Sequence, residues 1–148
     1  MEIAQDHNRR VWDERVQQGL LHTRTARDDE FDDPAKAINS RGWIDGSLDG
    51  KQVLCLGGGG GLQAPLYAAA GATVTVVDIS PEMLEQDGQV ARERGLELLT
   101  IAASMDDLSM LANASFDLVT QPVSTCYVPN LAKVYGEIAR VLRVGGQY

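Results

Sequence analysis

Five consecutive glycines, Gly57 to Gly61, separate the short apolar run QVLCL from the alanine-rich run QAPLYAAAG. A β-branched apolar segment of that length suits a buried strand, and the second run suits a helix stopping at Gly71. Between them the backbone must turn sharply, and without Cβ atoms it can lie against a ligand at the start of a helix. A chain built around such a junction is constrained to alternate strands with helices.

The rest of the sequence keeps that alternation. TVTVVD reads as a second strand; Ser80-Pro81 then offers an N-cap and an N1 proline to a helix ending near Arg94, with Gly95 to close it. ELLTIA predicts a third strand, MDDLSML a short helical segment, FDLVTQ a fourth strand and NLAKVYGEIARVL a helix. The order β-α-β-α-β-α-β-α implies an α/β fold: a Rossmann-like, doubly wound parallel sheet with right-handed crossovers and helices on both faces. Ligands of such sheets bind at the carboxyl ends of the strands.

Upstream, Val11, Trp12, Val16 and Leu20 recur at near-helical spacing, so an amphipathic N-terminal helix is expected over residues 6–20. TRTARDDEFDDP carries five acidic residues and little to bury; it reads as a solvated connection, and it lacks the order of a calcium loop. AKAINSRGWI predicts a short helix ending near Gly42, and GSLDGK a turn. The expected division is an N-terminal helical cap and connection over 1–42, then the core over 43–148.

Composition narrows the function classes. With 148 residues, 44% hydrophobic and 23% charged, the chain can build one core. A net charge of −8 opposes capture of nucleic acid or anionic membrane. The apolar stretch from Ala64 to Ile79 is interrupted by Gly71, Thr73, Thr75 and Asp78, short of a membrane span of about 20 residues. MEIAQDHNRR has no apolar h-region, so the expected location is cytoplasmic. Cys55 and Cys126 lack metal or redox-pair spacing and read as buried thiols, and no metal is expected.

Asp78 ends the second strand 21 positions after Gly57 (78 − 57 = 21), where an acid can take the hydroxyls of a ribose on the adjacent strand end. Gly59-x-Gly61-x-x-Ala64 also satisfies the nicotinamide-cofactor pattern, but in a register two residues late, since Leu56 ends the strand.

Taken together, VLCLGGGGG with VTVVDISPEMLEQ resembles motif I and the following acidic strand of the class I S-adenosylmethionine-dependent methyltransferases (type 11/25-like domains), whose usual motif I is VLDLGxGxG. AASMDDL, SFDLVTQ and IARVLRVGG are similar to that family's later segments, so the resemblance covers residues 43–148. It implies S-adenosylmethionine as cofactor, with S-adenosylhomocysteine as product. Carried over residue by residue, Gly57, Gly58, Gly59 and Gly61 line the methionine and ribose portion, Asp78 takes the ribose, and Ile79, Ser104 and Met105 face adenine. Gln121 approaches the methionine amino group, while Met83 is a core-facing helix residue. Gly58 and Gly60 replace the bulkier residues usual there, Ser104 stands where an aspartate is common, and Cys55 stands where an aspartate orients the loop.

The resemblance implies methyl transfer to an unidentified small-molecule acceptor, by in-line displacement without a covalent nucleophile. The alternatives are a cofactor-binding module without turnover and, less favoured, an NAD-binding domain. No catalytic residue is identified: His7 and His22 both lie in the N-terminal region. Trp12 is expected either to roof the cofactor or to anchor its helix. Four strands are counted where the family has seven, so a truncated core is expected, with an exposed sheet edge open to homodimer pairing.

Overall fold

The structure, a computed structural model, describes residues 2–148. Its helices are α1 (Glu2–Gln17), α2 (Pro34–Ile38), α3 (Gln63–Ala69), α4 (Pro81–Arg94) and α5 (Leu131–Val141). Its strands are β1 (Gln52–Leu56), β2 (Thr73–Asp78), β3 (Leu98–Ala102), β4 (Phe116–Thr120) and β5 (Leu142–Gln147). They form one parallel sheet in the order β3-β2-β1-β4-β5, with Leu54 opposite both Thr75 and Val119.

Alternation along the strands divides the core in two. Val53, Cys55, Val74 and Val76 face Ala64, Tyr67 and Leu84 on the α3 and α4 side. Leu54, Leu56, Val77 and Val119 face Val134, Ile138 and Val141 of α5 on the other. Each fully buried Leu or Val there contributes about 1.5–3 kcal/mol of transfer free energy. Because both faces are covered, β1 reads as an unbroken apolar run.

Local chemistry sets the element ends. The Ser80 hydroxyl accepts from the Met83 amide at 3.1 Å to cap α4, and Gly95 closes that helix with φ 65°. Asn130 caps α5 by accepting from the Lys133 amide at 3.1 Å.

Three expectations change. MDDLSML forms turns rather than a helix. Its chain is held from outside: Arg140 donates to the Leu108 and Leu111 carbonyls, each at 2.8 Å, and Glu137 accepts from the Leu108 amide at 2.8 Å. The acidic connection is no loose loop, for Asp28–Phe31 is a 3-10 turn whose acids are paired. Arg24 bonds both oxygens of Glu30 at 3.2 Å, Arg27 bonds Asp29 at 2.9 Å, and Arg94 bonds Asp28 while its guanidinium lies over the Phe31 ring. The strand count rises from four to five, since Leu142–Gln147 adds β5 beside β4. Its sequence conceals it: Phe116 pairs with Leu142 and Leu118 with Gln147, so Arg143–Gly146 bulge opposite Asp117 alone, with Gly145 at φ 80°.

Candidate functional site

The carboxyl ends of β1 to β4 open on one cavity of about 580 Å³. That lies in the range of sites for small organic ligands. The sheet order reverses between β1 and β4, so the loops after these strands diverge and leave a crevice there.

The glycine loop forms its floor. Gly57, with φ 60°, lies so close to Ser124 and Met105 that a Cβ would stand 2.9 Å from the Ser124 hydroxyl and from the Met105 methyl. A Cβ on Gly59 would stand 2.9 Å from Asp78 Oδ2 and from Met83 Cβ. Gly58 differs, because a Cβ there meets nothing nearer than Cys55 at 3.5 Å.

Four of the five loop amides are committed inside the chain. Gly57 donates to the Val77 carbonyl at 2.7 Å, and Gly59 to Asp78 Oδ2 at 2.9 Å. Gly60 donates to the Met83 carbonyl at 2.9 Å and to Asp87 Oδ2 at 3.2 Å, and Gly61 to Asp87 Oδ1 at 2.8 Å. The Gly61 carbonyl accepts from the Ala26 amide at 2.8 Å, which docks the N-terminal connection on the loop.

Asp78 is 7% exposed, and its Oδ1 accepts from the Ser80 amide at 2.9 Å. Burial pushes its carboxyl above the usual range, against the opposing pull of the Ser80, Gly59 and Ile79 amides. Asp87 has no exposed surface, and burial raises it to about 7. Cys55 is buried, and its thiol is pushed up by burial and then by the charge of Asp87. Cys126, by contrast, is exposed.

The remaining wall comes from α1 and the two loops it spans. Gln5 donates to the Ser104 hydroxyl at 3.2 Å and to Asp106 at 3.3 Å, while Asn8 donates to the Tyr127 carbonyl at 2.8 Å. The Trp12 ring meets the Tyr127 ring edge-on at 5.6 Å. Asp13 accepts from the Ser80 hydroxyl, tying the same helix to the start of α4. Trp12 therefore lines the cavity and anchors the helix at once.

Of the residues singled out from sequence, Gly57, Gly58, Gly59, Asp78, Ile79, Ser104 and Met105 line this cavity. Gly61 and Gln121 are not among its lining residues. Gly61 faces α4, where a Cβ would meet the Gln86 carbonyl at 3.0 Å. Gln121 donates to the Met105 sulfur at 3.0 Å and accepts from the Tyr148 hydroxyl at 2.9 Å. Met83, read as a core residue, is buried at 6% exposure and still reaches the cavity wall.

Four further side chains belong to the loop and its cavity. His22, in an N-terminal region that the sequence separates from the core, lines the cavity from the 3-10 turn Leu21–Thr23. Asp87 carried one available signal, an acid on the apolar face of α4 between Leu84 and Ala91. Gln63 and Ser124 also line the cavity, and their Oε1 and Oγ are buried without hydrogen-bond partners among the described residues.

That arrangement fits the nucleoside with an amino-acid side arm that the motifs imply. The two unpartnered oxygens flanking Gly57 and Gly58 can accept from an ammonium group. Asp78 retains lone pairs for ribose hydroxyls, and Ile79 with Ala103 and Met105 offers an apolar slot for a base.

Residues 54–148 match the family described as "Methyltransferase domain". The chain is 38% identical, over 95% of its length, to the "Uncharacterized methyltransferase YbaJ" of Bacillus subtilis (strain 168), covering 58% of that protein. It is also 38% identical, over 71% of its length, to the ubiquinone biosynthesis O-methyltransferase of Paracidovorax citrulli (strain AAC00-1), covering 45% of it. The chain thus spans about half the length of these curated relatives. Among solved structures, a protein of Pyrococcus horikoshii OT3 shares the fold, with a TM-score of 0.70 at 24% identity over 86% of this chain and 60% of that one.

Proposed function

The chain belongs to the class I S-adenosylmethionine-dependent methyltransferases, and on that premise we propose that its cavity binds S-adenosylmethionine and presents it to a small organic acceptor. The observation that carries this reading is the direction of the loop amides. A pyrophosphate is held by amides pointing at it. Here four of the five point instead at the Val77 and Met83 carbonyls and at the carboxylates of Asp78 and Asp87. The loop is backed by negative charge, which suits a cationic ligand and disfavours a dinucleotide.

When bound, the cofactor supplies an electrophilic methyl group. Asp78 holds the ribose, Gln63 and Ser124 accept from the amino group, and α1 with Trp12 excludes water over the nucleoside. Leu62, Val123 and Val128 give the rest of the wall an apolar character suited to an organic acceptor. The O-methyltransferase among the relatives favours an oxygen as acceptor atom. We assign His22, which lines the cavity wall, as the general base that takes its proton.

The net charge of −8 supports a small-molecule partner over nucleic acid or membrane, and no described helix is long and apolar enough to cross a membrane. A cytoplasmic location fits both. The edge at β3, with Leu99 57% exposed, supports homodimer pairing; a clean monomer in concentrated sedimentation runs would remove that part of the proposal.

Calorimetric titration tests the cofactor reading directly. S-adenosylhomocysteine is expected to bind and NAD not to, and binding of NAD alone overturns the proposal.

A further inference from the structure

Asp87 is a buried acid behind the glycine loop that ordinary packing does not explain. It sits on the buried face of α4 with no exposed surface, and its two oxygens accept from the Gly61 and Gly60 amides at 2.8 and 3.2 Å. Buried carboxylates are ordinarily paired with a cation. Among the described residues no ion pair reaches Asp87.

The groups around it add no positive charge. From β2 comes Asp78, whose charge raises Asp87 further, and from β1 comes the Cys55 thiol, beside Tyr67 of α3. The N-terminal connection presents Thr25 to Gly61, while Arg24 is spent on Glu30. On α4 itself Arg92 pairs with Glu85 and Arg94 with Asp28. From α1, Asp13 adds a further negative charge beside Asp78.

A carboxylate with this surrounding is stabilised by a cation bound in the cavity beside Asp78, its charged neighbour. We infer that Asp87 is a specificity-determining residue, which makes the site prefer a cofactor carrying positive charge on sulfur over the neutral thioether product. The inference rests on the proposed cofactor. Asp87 and its partners Gly60 and Gly61 stand behind the cavity lining, so the attraction acts past Gly59 and Asp78, and Asp87 need not touch the ligand. Release of product after transfer follows from the same contrast, because the thioether loses what the sulfonium gains.

The sign of the proton linkage follows. Burial raises Asp87 to about 7, so near and below that pH part of the population is neutral there. A cation binds the ionised form better and expels the proton, so its affinity rises as pH increases through about 7. The product carries no charge on sulfur, so its dependence through Asp87 is small. Asp78 shares the direction of shift, and the variant separates the two.

The experiment titrates the full chain with S-adenosylmethionine and, separately, S-adenosylhomocysteine from pH 5.5 to 8.5, repeated in buffers of different ionisation enthalpy. The affinity ratio in favour of S-adenosylmethionine is expected to rise by about 5- to 10-fold across that range, with more proton release for the sulfonium than for the thioether. Asp87→Asn, checked for fold by circular dichroism and used fresh because a glycine follows it, should flatten that dependence. It should also weaken S-adenosylmethionine at pH 8 by a similar factor, while changing the product less than about twofold. A pH-independent ratio in the native chain, which needs no variant to fold, overturns the inference and leaves the cofactor reading standing. Equal weakening of both ligands by Asp87→Asn reduces Asp87 to a structural prop and also overturns it. Failure of both ligands to bind the native chain at any pH defeats the cofactor reading and the inference with it.

Discussion

Gly59→Ala and Gly58→Ala make a paired test of the loop, because the two residues are adjacent in sequence and opposite in consequence. A Cβ on Gly59 would stand 2.9 Å from Asp78 Oδ2 and 2.9 Å from Met83 Cβ, inside van der Waals contact with two groups that have little room to retreat. Asp78 is buried and holds the Ser80 amide, and Met83 lies on the first turn of α4. Overpacking of this kind costs about 1–3 kcal/mol. Any shift that relieves it stretches the 2.9 Å bond from the Gly59 amide to Asp78, a bond to a charged group worth about 1.5–3 kcal/mol. Part of each is recovered by relaxation, leaving a loss of about 2–4 kcal/mol. For a chain of this size that lowers Tm by about 6–12 °C. On Gly58 the nearest atom to a Cβ is 3.5 Å away and φ is not positive, so Tm should stay within about 2 °C of the parent. Differential scanning calorimetry reads both, and S-adenosylhomocysteine titration should show affinity lost for Gly59→Ala. A Tm loss for Gly58→Ala equal to or larger than that for Gly59→Ala would refute the geometry of the loop.

Asp78→Ala should weaken S-adenosylhomocysteine by about 1.5–3 kcal/mol in calorimetry, as loss of a hydrogen bond to a charged group, and an unchanged affinity would remove the ribose assignment. Deleting residues 1–20 should leave the far-ultraviolet spectrum of the sheet intact but weaken the same ligand and speed its dissociation, since Gln5, Asn8 and Trp12 bridge the Ser104 and Tyr127 sides of the cavity; equal dissociation rates would leave α1 an anchor only. Asp87 makes stability depend on pH in a stated direction. Its folded pKa lies above the unfolded value near 3.9, so its stabilising contribution is complete below about pH 4 and is lost as pH rises through about 7. Urea unfolding at pH 5 and pH 8 should therefore show Asp87→Asn gaining about 2–3 kcal/mol on the native chain over that interval, and a constant difference would contradict it.

The sequence makes the strand ends, and with them the site, legible for a physical reason. β1, β2 and the start of α4 are punctuated by residues with narrow conformational roles: the glycines, Asp78, and Ser80 before Pro81. What it conceals depends on distant partners. Residues 105–111 take their shape from Arg140 and Glu137, some 29 positions downstream, so their own helical pattern is overridden. The acids of Asp28–Phe31 look solvent-bound until α4 brings Arg94 to Asp28 and Phe31. Gly60 occupies a position where the family pattern allows a side chain, but at φ 116° it is bound to glycine; Gly58, the other such position, has room.

The same dependence on partners explains how the added strand bears on the site. At the end of β4, Gln121 does not line the cavity; it turns its amide nitrogen to the Met105 sulfur at 3.0 Å and accepts from the Tyr148 hydroxyl at 2.9 Å. A thioether is a weak acceptor, so this contact chooses a rotamer for Met105 more than it binds it. The choice matters because the Met105 methyl fills the space beside Gly57 where a Cβ would stand at 2.9 Å, and so shapes the cavity floor. Its body packs on the α5 side of the core with Leu108 and Leu56. Packing therefore holds Met105 near the loop, and the chain leaving β5 selects which way it points. The position that the family pattern assigns to the cofactor stands here one residue back from the cavity, behind Met105.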